Sequence, residues 1–166
     1  MRELVKEKVK TFAALNDLAL QGEIVVLGST YMANFPFYEL INKCRLENAV
    51  YNRSIAALTP REAEEILQVA VLSLRPHKVF LCFEETEGLG ELITQIRTAL
   101  PHAELYVVGV QTSEVKSLCD GKSVHYIGIP AFDTQAVGYR RIFKRLCCFF
   151  RDNPLTLTDA FAIAAL

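Results

Sequence analysis

Two rhythms of apolar residues alternate along the chain. Four short runs, EIVVLG (23–28), KVFLCF (78–83), ELYVVGV (104–110) and VHYIGI (124–129), are nearly continuous in β-branched and aromatic residues. A weaker fifth, AVYN (49–52), lies between the first two. Runs of this kind predict strands buried on both faces of a parallel sheet. Between them the spacing changes to that of helices. Ala63, Ile66, Leu67, Ala70, Val71 and Leu74 share one helical stripe, and TPRE ahead of them supplies an N-cap threonine, a proline at N1 and a glutamate at N3. Leu89, Leu92, Ile93, Ile96 and Leu100 mark a second helix that stops at Pro101. Ile142, Phe143, Leu146, Cys147 and Phe150 mark a third, and Val5, Val9, Phe12 and Leu15 place a helix in residues 1–20. A short apolar helix is expected in the tail LTLTDAFAIAAL, after Pro154.

Strands alternating with helices predict right-handed βαβ units in a three-layer α/β/α sandwich, with a five-stranded, mainly parallel, flavodoxin-like sheet. Repeats and linkers are lacking, so residues 1–166 form one expected domain, with an N-terminal helix in 1–20 and a helical tail in 154–166. Ligands of such sheets bind outside the carboxyl ends of the strands. That rule selects Gly28-Ser29-Thr30, Asn52-Arg53-Ser54, Glu84-Glu85-Thr86-Glu87 and the loop Pro130–Thr134, all opening on one side.

Composition narrows the classes. A net charge of −1 and a pI near 6.3 carry no nucleic-acid footprint. The five cysteines, Cys44, Cys82, Cys119, Cys147 and Cys148, lack paired spacing and read as reduced thiols, with neither a disulfide framework nor a zinc site. The first twenty residues are charged throughout, unlike a signal peptide, and no apolar run reaches the ~18 residues of a membrane span. A cytoplasmic protein without a cofactor, a nucleic-acid partner or a membrane partner is the expectation.

The four crevice loops also carry a resemblance. GEIVVLGSTYMANFPFYEL resembles the opening block of the SGNH/GDSL hydrolases, a strand ending in Gly-Asp-Ser. AVYNRSIAAL is similar to their second block, Asn-Arg-Gly-Ile-x-Gly, and LSLRPHKVFLCFEETEGLG to the third, a strand ending in Gly-Thr-Asn-Asp. DTQAVGYRRIFKRL resembles the last, Asp-Gly-x-His-Leu followed by a Gly-Tyr helix start. The order and spacing imply the α/β/α fold of these esterases and acylhydrolases. The matching positions depart from their chemistry. Thr30 stands at the nucleophile serine and Ser29 at the preceding aspartate, while Ser54 replaces the oxyanion glycine and Thr86 the oxyanion asparagine. The last block is shorter by about three residues and has no histidine, leaving Asp133.

A hydroxyl becomes a useful nucleophile only when a base within hydrogen-bond reach takes its proton. The three histidines, His77, His102 and His125, fall at or near strand starts, most of a strand length from Thr30. Glu84, Glu85, Glu87 and Asp133 are nearer, but an ordinary carboxylate is too weak a base for an alcohol, and negative charge opposes a developing oxyanion. The EETE cluster has two readings, a divalent-cation site or acidic residues favouring the N-terminus of the next helix, and the second is favoured. Ser29 and Thr30 either contact ligand or cap the following turn. YRRIFKRLCCFFR interleaves basic and aromatic residues, yet its apolar spacing favours a core helix with a solvated basic face.

Three functions follow. The favoured one is a non-catalytic binding or interaction module whose crevice, formed by Gly28, Ser29, Thr30, Asn52, Ser54, Glu84, Glu85 and Thr86, holds a small polar ligand or is closed by side chains. The second is a weak or repurposed esterase using Ser29 or Thr30 with Asp133 or Glu84. The third is a scaffold acting through its terminal helices, the tail either docking on its own domain or joining two copies as a homodimer.

Overall fold

A computed structural model describes residues 1–110, 113–153 and 156–166. Five strands, β1 (Ile24–Gly28), β2 (Val50–Asn52), β3 (Lys78–Cys82), β4 (Glu104–Val110) and β5 (Val124–Ile129), form one sheet in the order β2-β1-β3-β4-β5. Every neighbouring pair is parallel. All five strands therefore end on the same side, and the order reverses at β1, where β2 and β3 diverge to left and right.

Alternation along each strand divides the core into two layers. Val25, Leu27, Val79, Leu81, Leu105 and Val107 face α1 (Glu3–Asn16), α4 (Pro60–Ala70), α5 (Leu89–Ala99) and α6 (Ser113–Cys119). Ile24, Val26, Phe80, Cys82, Tyr106 and Val108 face α2 (Thr30–Ala33), α3 (Phe37–Ile41) and α7 (Ala136–Phe150). The three-layer sandwich expected from the apolar pattern is the observed one.

Departures from the pattern have local causes. The helix expected from Thr59 to Leu74 begins with the predicted capping box between Thr59 and Glu62, but it breaks at Val71. A 3-10 turn, Leu72–Leu74, follows, and Arg75 takes a φ of +45° immediately before Pro76. Proline disfavours the right-handed helical conformation in the residue before it. Pro36 acts similarly after Ser29: the helix started there lasts four residues as α2 and resumes only at Phe37. No apolar stripe announced α6, because it is seven residues long with Val115, Leu118 and Cys119 as its apolar positions.

Lys78 opens β3 and is only 3% exposed. Its ammonium donates to Phe149 O and Arg151 O at 2.9 Å each and pairs with Asp152 Oδ1 at 2.9 Å. Those carbonyls end α7 without intrahelical partners, so a strand lysine caps the helix packed across it. Pro154 lies outside the described residues. The tail helix, α8 (Leu157–Ala164), starts with a Thr156–Asp159 capping box and docks on its own chain. Arg151 Nη2 pairs with Asp159 Oδ2 at 2.8 Å, Lys144 Nζ donates to Ala164 O at 3.3 Å, and Ile163 and Leu166 pack on the α7 layer.

Candidate functional site

The four loops selected from the sequence do converge at the carboxyl end of the sheet. Gly28 sits where β1 and β3 approach so closely that a Cβ there would lie 2.2 Å from Cys82 O. That oxygen also accepts from Ser29 N at 3.0 Å, which turns the chain out of β1 into α2. Ser29 is 7% exposed, whereas Thr30 lies at the surface.

The two hydroxyls do not cap the turn that follows. Ser29 is the N-cap residue of α2 but makes no side-chain capping bond. Thr30 Oγ1 instead accepts from Ala57 N at 2.9 Å, tying the β1 loop to the segment after β2. The free N–H at the start of α2 is taken by a carboxylate from the loop after β3: Tyr31 N donates to Glu84 Oε1 at 2.6 Å. A charge-assisted bond of that length is among the stronger ones. Glu84, in the loop after β3, therefore supplies the acceptor that one of the two readings of Ser29 and Thr30 assigned to their hydroxyls.

The block after β2 is held from within. Asn52 Nδ2 donates to Met32 O at 2.8 Å and its Oδ1 accepts from Ser54 N at 3.1 Å, so Ser54 N–H is already engaged. Ser54 Oγ is buried and has no partner among the described residues. Arg53 turns away from the crevice toward α1, where its guanidinium donates to Asn16 Oδ1 at 2.9 Å and lies over the Phe12 ring at 5.0 Å. Thr86, which the sequence resemblance matched to an oxyanion asparagine, also turns aside and donates to Glu114 Oε1 at 3.3 Å. Glu85 is exposed, and Glu87 pairs with Arg61 at 2.8 Å. The acidic loop is thus dispersed among an amide, a guanidinium and solvent, and no group of three potential metal ligands forms among the described residues.

Asp133 closes the opposite side through its backbone and an Asx turn. Its carbonyl accepts from Tyr31 Oη at 3.0 Å and its Oδ1 from Gln135 N at 2.9 Å. The carboxylate rests against Gly138, where a Cβ would come within 2.2 Å of Asp133 Cγ. Burial pushes the Tyr31 phenol well above its ordinary pKa, so it stays protonated and keeps donating. Around it gather Phe35, Phe132 and Tyr139, with ring centroids 5.8, 5.2 and 5.6 Å away. This aromatic plug was missed in the sequence; the signal available for it was the Gly-Tyr pair at 138–139. Ala57, with φ +56°, carried no signal at all.

The histidines lie elsewhere. His77 Nδ1 pairs with Gly22 O at 2.5 Å, and its Nε2 lies 3.2 Å from both oxygens of Asp152, at the amino end of β3. His102 is exposed in the turn before β4. His125 stacks on Tyr106 at 5.0 Å, in register through Tyr106 and Phe80 with Val26 of β1. Three strand spacings and three residues separate it from Ser29, roughly 17 Å. A separate cavity of about 940 Å³ opens beside β2, lined by Phe35, Phe37, Ile41, Leu46, Val50 and Asn52 among others. Of the crevice positions it includes Asn52.

With this geometry in view, comparison with solved structures is decisive for the architecture. A Streptococcus pneumoniae protein provisionally named a platelet activating factor superposes with a TM-score of 0.73 at 14% identity, over 89% of this chain and 93% of its own. The fold is SGNH/GDSL-like. A Parabacteroides merdae protein provisionally named a GDSL-like lipase also matches, with a TM-score of 0.47 at 10% identity over 89% of this chain and 94% of its own. No family model and no curated protein matches the sequence. Of the positions that the sequence resemblance matched to family site residues, Thr30, Thr86 and Asp133 are hydrogen-bonded within the protein and the Ser54 hydroxyl is buried.

Proposed function

We propose that this SGNH-like domain binds at its crevice and does not hydrolyse there. One observation carries the reading: each of the chain's three imidazoles belongs to the amino-terminal half of the sheet, away from Ser29 and Thr30. Without a base the hydroxyl proton has nowhere to go. Further support comes from the two hydroxyl positions. The Thr30 oxygen already accepts from Ala57 N, and the carboxylate of Glu84 stands at the next backbone N–H, where an oxyanion would be repelled. Asp133, the remaining acidic candidate, is engaged by Gln135 N.

The group left for a ligand is the hydroxyl of Ser29, in a mouth bordered by Glu84 and Glu85, while the Ser54 hydroxyl lies buried beneath it. A small polar ligand that is neutral or cationic suits that surface, and an anion does not. A fluorophosphonate probe should leave the pure protein unlabelled, and turnover of short p-nitrophenyl esters should be the same in wild type and in a Ser29→Ala, Thr30→Ala double variant. Labelling at either hydroxyl, or activity abolished in the double variant, would establish the hydrolase reading instead.

A further inference from the structure

The tail helix is unusual in what it leaves uncovered. From Leu157 to Ala164 it is LTDAFAIA, apolar on most sides, and none of its residues is buried. Leu157 and Phe161, one turn apart on a single face, are 79% and 72% exposed. A helix apolar nearly all round is ordinarily covered.

Its neighbour explains what would cover it. From Ala136 to Phe150, α7 has no acidic residue, while Arg140, Arg141, Lys144 and Arg145 crowd its outer face. Lys144 reaches Ala164 O, and Arg140, Arg141 and Lys144 line one shallow depression together with Val137 and Leu166. Arg140, Arg141 and Arg145 form no side-chain hydrogen bond or ion pair among the described residues, and Arg141 and Arg145 also flank a hollow beside Pro130. In a chain of net charge −1 this is a local concentration of positive charge, placed where α8 ends. The carboxylate on α8, Asp159, is already held by Arg151 and Thr156.

A second copy meeting this one symmetrically across α8 would bring the two cationic clusters together, which is repulsive. An anionic bilayer surface satisfies both features at once. It accepts exposed leucine and phenylalanine at the acyl boundary and attracts the guanidinium groups beside them. We propose that α8 and the basic face of α7 form a peripheral docking surface for an anionic lipid bilayer. The helix would lie in the plane of the interface; among the described residues, no helix is long and apolar enough to cross a membrane. The sequence pattern of α7 alone suggested a solvated basic face without a membrane partner, and the apolar helix laid along it changes that reading. The inference does not depend on the crevice.

The test is co-sedimentation of the full chain with vesicles of phosphatidylglycerol and phosphatidylcholine in equal parts, against phosphatidylcholine alone. The protein should pellet with the first, not with the second, and should be released by high salt. Leu157→Ser with Phe161→Ser, and separately Arg140→Glu with Arg141→Glu, should each weaken binding about tenfold or more. All four positions lie on the described exterior of these helices, so circular dichroism and urea midpoints like those of wild type will show that the variants fold. Failure to pellet with the anionic vesicles, or equal pelleting with both, overturns the proposal. So does a dimer seen by sedimentation equilibrium that the Leu157, Phe161 variant abolishes.

Discussion

At the scale of single residues, Gly28 shows how little room the crossing of β1 and β3 leaves. The obstacle to a larger residue is a backbone carbonyl, Cys82 O, which also accepts from Ser29 N and is fixed by the sheet. A flexible side chain could yield; this atom cannot. Gly28→Ala should therefore destabilise the protein by about 3 kcal/mol, at the upper end of ordinary overpacking, read as a lowered urea midpoint. The glycine itself was legible, because a glycine after a buried strand is a turn signal. The partner of Tyr31 N was not. Local rules favour a hydroxyl cap from Ser29 or Thr30, and nothing in sequence spacing reveals that Glu84, 53 positions away, arrives at 2.6 Å.

At the scale of elements, the junction of β3 with the end of α7 joins Lys78, His77, Asn48 and Asp152. Burial by itself would raise the Asp152 pKa, but hydrogen bonds from Lys78, Asn48 and His77 outweigh it and hold the carboxyl at about 2. The ordinary value is 3.8, so the folded state holds this proton less tightly than the unfolded chain. Its contribution is complete above the unfolded value and disappears as pH falls through the folded one. Stability should accordingly decline between about pH 4 and 2, and Asp152→Asn should flatten that slope in acid titrations followed by circular dichroism, while lying below wild type at neutral pH. Long elements with an apolar stripe were readable, α4, α5 and α7 above all. The four- and five-residue helices around Pro36 and the seven-residue α6 were not, since such pieces are too short for periodicity to register and are held by tertiary contacts.

At the scale of the whole molecule, the strand order places every imidazole in the half of the sheet opposite the crevice. Background ester turnover, if measurable, should then rise smoothly with hydroxide and show no inflection between pH 6 and 8; a sigmoid in that range would mark a titrating base at the site. This layout was visible in the sequence, because a histidine just ahead of an apolar run must sit at the amino edge of a parallel sheet. The aromatic plug around Tyr31 was not, because it joins rings from α2, from the loop after β5 and from α7, whose meeting depends on the closed fold. The sheet has a further consequence for synthesis. Being wholly parallel among the described residues, it contains no hairpin to start from, and its α7-side face, with Phe80 and Tyr106, is sealed by a helix translated only after all five strands. Until Phe143, Leu146 and Phe150 have been translated, the nascent polypeptide presents a sticky, half-covered platform, and its exposure to chaperones is set by the time needed to make that one segment.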